Sequence, residues 1–165
     1  MRTLVTGVAG CIGSDLAEAL VARGDFVAGI DNLSSGKMEH LSGLIGHRNF
    51  RFIEGDLEDP AGVEAAMQDA EFVWHLAANP DVKFTPGDPT DKDLRQNLVC
   101  TYNVLEAMRR LDVKRLAFSS TSAVTGCVDA AGLRPGIADA IAAATSATPQ
   151  PISRPVRNPA SVGIV

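Results

Sequence analysis

The sequence predicts a doubly wound parallel α/β sheet, truncated after about the fifth strand. Two observations carry this. Short apolar runs alternate with segments of helical periodicity throughout residues 1–120, and three evenly spaced glycines separate the first run from the first helical segment. Strands that alternate with helices need crossover connections, and crossovers produce a parallel sheet covered by helices on both faces.

The elements follow in order. "RTLVTG" is an apolar run stopped by Gly7, and "CIGSDLAEALVARG" sets Ile12, Leu16, Ala19 and Leu20 on one predicted helical face, closed by Gly24. "DFVAGID" is a second buried strand. "NFRFIEGD" is a third, in which Phe50 and Phe52 alternate with polar neighbours, and "DPAGVEAAMQDA" is a helix with Pro60 near its first turn. "EFVWHLAA" is the fourth strand. "DLRQNLVCTYNVLEAMRRL" carries Leu94, Leu98, Tyr102, Leu105 and Met108 at helical spacing, and "VKRLAFSS" is the fifth strand.

Length and composition exclude other classes. The 165 residues suit one compact domain or a piece of a larger one, and 45% hydrophobic content suits a soluble globular chain. A net charge of -5 argues against nucleic acid as a partner. No apolar run approaches the roughly 20 residues that cross a bilayer, so no membrane span is expected. The apolar start is broken by spaced glycines and ended by Asp15, unlike a signal peptide. Cys11, Cys100 and Cys127 follow no pairing motif, which points to a reducing, cytoplasmic location. His40, His47 and His75 show no ligand spacing, so no metal site is expected; His75, at the end of the fourth strand, is expected to pack there.

"TGVAGCIG" places Gly7, Gly10 and Gly13 at three-residue intervals between strand and helix. Without Cβ atoms the backbone can approach a pyrophosphate, whose charge meets the free N–H groups and dipole of the helix. Tight-turn and helix-packing glycines give the same spacing. Asp31 ends the second strand 18 residues after Gly13, where this Rossmann-like fold offers a carboxylate to the adenosine ribose. Such a carboxylate repels a 2′-phosphate, which favours NAD over NADP. An Asp after a strand also serves as a helix cap.

The glycine triplet, "DNLSSGK" at 31–37, "GDL" at 55–57, "HLAA" at 75–78, "NLVCTYNVLEA" at 97–107 and "FSSTSAV" at 118–124 occur in a fixed order. In these six motifs the chain resembles the extended short-chain dehydrogenase/reductases, and among them the NAD-dependent nucleotide-sugar epimerases and dehydratases of the UDP-glucose 4-epimerase type. The resemblance covers residues 1–126 and implies an NAD-binding domain there. It implies that Gly7, Gly10, Cys11, Ile12 and Gly13 hold the pyrophosphate and that Asp31 and Asn32 take the ribose, with Ser35 and Lys37 on the phosphate side. Asp56 and Leu57 would frame the adenine, Leu76, Ala77 and Ala78 would pass under the cofactor, and Asn97 would brace the helix facing the active site. Cys11 stands where the family often has a bulky aromatic residue; a packing substitution and a redox role both remain open.

The resemblance fails at the catalytic end. Counted back from Gly126, the hydroxyl that bonds the reacting sugar hydroxyl is Thr121, although a strand-end threonine also caps local backbone. The family's tyrosine before that glycine is Thr125 here. Its general base, the Tyr of a Tyr-x-x-x-Lys pair further along, has no counterpart: Tyr102 is the one tyrosine, and no lysine follows Lys114. Residues 127–165 hold nine Ala and five Pro but no Lys, Glu or aromatic residue. They read as an out-of-frame translation of a GC-rich gene or as a divergent C-terminus, with a weak Ala-rich helix over "GIADAIAAATSA". The fifth strand is then an exposed edge unless the tail covers it.

Three functions are expected to compete. The chain is an NAD-dependent epimerase or dehydratase of nucleotide sugars by ancestry, a stand-alone NAD-binding module, or an inactive fragment. In the family, helix 94–110 contributes to a homodimer whose partner helix carries the missing Tyr and Lys, which leaves dimerisation of this chain in question.

Overall fold

The computed structural model describes residues 1–81, 87, 89–120 and 161–164. Its strands are β1 (Arg2–Thr6), β2 (Phe26–Asp31), β3 (Phe50–Glu54), β4 (Phe72–His75), β5 (Arg115–Phe118) and β6 (Ser161–Ile164). All pair in parallel, in the order β3-β2-β1-β4-β5-β6. The five strands read from sequence are present. The tail contributes β6, which pairs with β5 from Arg115↔Ser161 to Phe118↔Ile164 and so occupies the edge left open above.

Helices α1 (Cys11–Ala22), α2 (Pro60–Ala66) and α3 (Cys100–Arg110) provide the crossovers. Alternation along the strands separates two apolar layers. Leu4, Ala28, Ile30 and Val73 face α2 and α3 with Val63, Val104 and Met108, whereas Val5, Val27 and Phe50 face α1 with Ala17, Leu20 and Leu41. Burying each large aliphatic side chain contributes roughly 1.5–3 kcal/mol, so both sheet faces stabilise the fold.

Helix α1 packs on part of the face expected for it: Leu20 is buried and Leu16 packs against the same core layer, but Ile12 and Ala19 do not. Gly13, Ser14, Ala17, Leu20 and Val21 are buried, while Ile12 is 72% exposed and Ala19 is exposed. A stripe of small residues lets the helix sit close to the sheet, which outweighs burying the bulkier Ile12. Helix α2 is capped by Asp59, whose Oδ1 accepts from the Ala61 N–H at 3.1 Å, with Pro60 in its first turn. It stops at Ala66, short of the end of the segment "DPAGVEAAMQDA" read as a helix, and Asp69 then turns with φ 63°.

The helical spacing over 94–110 hides a change of winding. Leu94–Val99 is π-helical and leads into α3. The Thr101 hydroxyl donates to the Asn97 carbonyl at 2.6 Å, competing with the α-helical ladder there. Cys100, Asn103, Val104, Ala107 and Met108 face the core. Leu94, Leu98, Tyr102 and Leu105 form an exposed row instead.

Candidate functional site

The sheet order reverses between β1 and β4, and in such sheets ligands bind outside the carboxyl ends of the strands at that point. A cavity of about 400 Å³ lies there, lined from the ends of β1, β2, β3 and β4. Gly7, with φ 69°, leaves β1 and turns under the β4 end; a Cβ on it would lie 2.8 Å from the Ala77 nitrogen. A Cβ on Gly13 would lie 2.1 Å from the Gly7 carbonyl oxygen. These two glycines therefore let three backbone segments meet. Gly10 caps α1, and its N–H donates to the Gly7 carbonyl at 3.1 Å. The first intrahelical bond runs from the Ser14 N–H to the Gly10 carbonyl at 3.0 Å, so the N–H groups of Cys11, Ile12 and Gly13 lie outside the ladder. Those three residues line the cavity with Gly7 and Gly10.

Asp31 also lines it, and its carboxylate is already engaged. Oδ2 accepts from the Ala9 N–H at 2.9 Å, and Oδ1 from the Leu33 N–H at 2.8 Å, which holds Leu33 at φ 58°. Asn32 Nδ2 donates to Asp56 Oδ2 at 3.0 Å, and the Glu58 N–H donates to Asp56 Oδ1 at 2.8 Å. An ionised carboxylate accepts about four hydrogen bonds, so each acid retains capacity toward a ligand. Ser35 and Leu57 line the same wall.

Leu76, Ala77 and Ala78 form the floor after β4. The N–H groups of Leu76 and Ala77 both donate to Thr6 Oγ1 at 3.2 Å, which lies 2.7 Å from His75 Nδ1. His75 Nε2 lies 3.0 Å from Thr101 Oγ1. Burial lowers the His75 pKa to about 4, so the imidazole is neutral near pH 7. Cys100 also lines the cavity; burial, aided by Asp56 and Glu58, pushes its thiol up to about 11 and keeps it protonated.

Two expected site residues lie off the cavity lining. Lys37 is exposed, and its backbone N–H donates to the Ala9 carbonyl at 3.0 Å. Asn97 Oδ1 accepts from the Asn79 N–H at 2.8 Å, tying the π-helical turn to the segment after β4. Thr121 and the Ala-rich segment lie outside the described residues. The lining also includes Ile30, Ser34, Gly36, Gly55, Glu58, Pro80, Gln96 and Cys100, which were not among the expected site residues. Ser34, Gly36, Gly55 and Cys100 lie inside the motifs quoted above, and Ile30, Glu58 and Gln96 adjoin them, so taking each motif whole with one flanking position would have found seven of the eight.

Three groups thus converge on one cavity: helix N–H groups, the carboxylate after β2 and the polar pair after β3. They sit where a doubly wound α/β sheet has its topological switch point. The chain belongs to the NAD dependent epimerase/dehydratase family, whose model matches residues 3–150. It is 40% identical over 123 residues to a UDP-glucose 4-epimerase of Mycolicibacterium smegmatis, covering 73% of this chain and 39% of that protein. Over 129 residues it is 36% identical to UDP-glucuronic acid decarboxylase 2 of Arabidopsis thaliana, covering 76% and 27%. The Thermus thermophilus UDP-glucose 4-epimerase, solved with NAD, superposes with a TM-score of 0.69 at 41% identity, covering 80% of this chain and 42% of that one. The chain spans about two fifths or less of the length of these relatives.

Proposed function

We infer that this chain binds NAD and is the cofactor-binding portion of a nucleotide-sugar epimerase or dehydratase. One observation carries the reading: the unladdered N–H groups of Cys11, Ile12 and Gly13 open into the cavity that Asp31 also lines. That pairing fits a pyrophosphate beside a ribose, as the fold requires. Gly7, Gly10, Cys11, Ile12 and Gly13 would hold the pyrophosphate, with Asp31 and Asn32 on the ribose and Ser35 near the phosphates. Lys37 acts there through its backbone. Asp56 and Leu57 would take the adenine, and Leu76, Ala77 and Ala78 would support the cofactor from below. Asn97 braces that floor through Asn79.

NAD, when bound, supplies a hydride acceptor for a sugar carbon, and isomerase chemistry of the family's kind returns the hydride. Thr121 is the hydroxyl assigned to the sugar. These 165 residues hold no Tyr-x-x-x-Lys, and lack of a general base lowers a rate by about 10²–10⁴. That sequence fact favours a second reading, an NAD-binding module or a fragment with no turnover of its own. Cytoplasmic nucleotide-sugar metabolism is the setting we assign. The exposed row of Leu94, Leu98, Tyr102 and Leu105 supports a homodimer through this helix.

Incubating the chain with NAD and UDP-glucose, and following both cofactor retention and product sugar, separates the readings. Product formation supports the enzyme; cofactor retention without product supports the module. Neither would mark an inactive fragment.

A further inference from the structure

We propose that His40 is a positioning residue that braces the glycine loop from outside the cavity; the link to cofactor affinity rests on the NAD reading above. His40 Nδ1 lies 2.8 Å from the Ala9 carbonyl oxygen. A carbonyl only accepts, so Nδ1 carries the hydrogen. The same oxygen accepts from the Lys37 N–H at 3.0 Å, and the Ala9 N–H is held by Asp31 at 2.9 Å. At the other edge of the Ala9–Gly10 peptide, the Gly10 N–H donates to the Gly7 carbonyl at 3.1 Å. The Ala9–Gly10 peptide is thus gripped on both edges immediately before α1. It lies immediately before the peptides that carry the N–H groups of Cys11, Ile12 and Gly13, so holding it limits how far that loop can swing. Leu41, fully buried under α1, anchors the turn that carries His40 (Met38–Leu41).

The test compares His40→Ala with His40→Asn, whose Nδ2 sits the same number of bonds from Cα as Nδ1. Amide hydrogen exchange on the chain without cofactor reads the brace itself. Faster exchange at Gly10 in His40→Ala, restored in His40→Asn, is expected; unchanged exchange at Gly10 overturns the proposal. Calorimetry then reads the consequence: His40→Ala should bind NAD about 3–10-fold more weakly, the effect of one hydrogen bond. Adenosine, which lacks the pyrophosphate, should bind the two proteins equally. NAD affinity unchanged by His40→Ala, or equal losses for NAD and adenosine, would overturn the positioning role. Failure of the unsubstituted chain to bind NAD defeats the cofactor reading, and the exchange comparison still decides the brace.

Discussion

His75 accepts a hydrogen bond from Thr6, and the direction of that bond is fixed by what else the threonine does. Thr6 Oγ1 already receives the Leu76 and Ala77 N–H groups at 3.2 Å each, so its own hydrogen goes to His75 Nδ1 at 2.7 Å. Nε2 therefore carries the ring hydrogen and donates to Thr101 Oγ1, which donates to the Asn97 carbonyl. A chain of four residues, buried at Thr6 and His75 and ending at the exposed Asn97, joins β1, β4, the start of α3 and the π-helical turn. Adding a proton to Nδ1 would break it at Thr6.

Stability should therefore fall as the medium is acidified from neutrality. The folded-state pKa of His75, about 4, lies below its ordinary value of 6.5, so between these values the unfolded chain binds a proton that the folded protein refuses. The contribution is complete above 6.5, declines as pH falls toward about 4 and amounts to about 3 kcal/mol at most. Urea unfolding between about pH 7 and about pH 4.5 should show this loss, and His75→Gln should flatten the profile over that range.

Gly13→Ala should damage the loop and the fold together. The added methyl would meet the Gly7 carbonyl oxygen at 2.1 Å, a backbone atom that no rotamer change can move aside. Overpacking of this kind costs about 1–3 kcal/mol. A lower thermal midpoint with loss of NAD binding is expected; wild-type values of both would refute the close approach of α1 to the β1 end.

Asp31→Asn tests whether the carboxylate braces the loop as well as facing the cavity. Its two oxygens accept from different N–H groups, those of Ala9 and Leu33, and an amide has one oxygen to offer. Losing one of these bonds should cost about 1–3 kcal/mol in urea unfolding without cofactor. A variant as stable as the parent would confine Asp31 to ligand contact.

Leu98→Glu tests the exposed helix row. Leu98 is 63% exposed and Tyr102 62%, which suits a contact surface between copies. Sedimentation should find the parent chain dimeric and the variant monomeric. A monomeric parent would remove the homodimer from the account.

The alternation of apolar runs and helical periods made the first five strands legible, because buried parallel strands read as short continuous apolar runs. Glycine spacing and Asp31 located the cavity by the same logic, since few residues fit a backbone that approaches a phosphate. Other relations were not legible. The buried face of α1 kept Leu20 and Leu16 but left out Ile12 and Ala19, because Gly13, Ser14 and Ala17 trade side-chain bulk for close approach. The π-helical turn before α3, across which the Thr101 hydroxyl donates to the Asn97 carbonyl, is not encoded in the spacing of apolar residues. The grips of Thr6 on His75 and of His40 on Ala9 join residues 69 and 31 positions apart, and only the folded register brings them together.

The glycine loop and Asp31 are proposed to form one cofactor site. Calorimetric titration of NAD into the full chain, with Gly13→Ala alongside, tests it most directly. Saturable binding at one NAD per chain, abolished in the variant, is expected. A folded parent chain, verified by circular dichroism, that gives no binding heat with NAD and no competition with a fluorescent NAD analogue would contradict it.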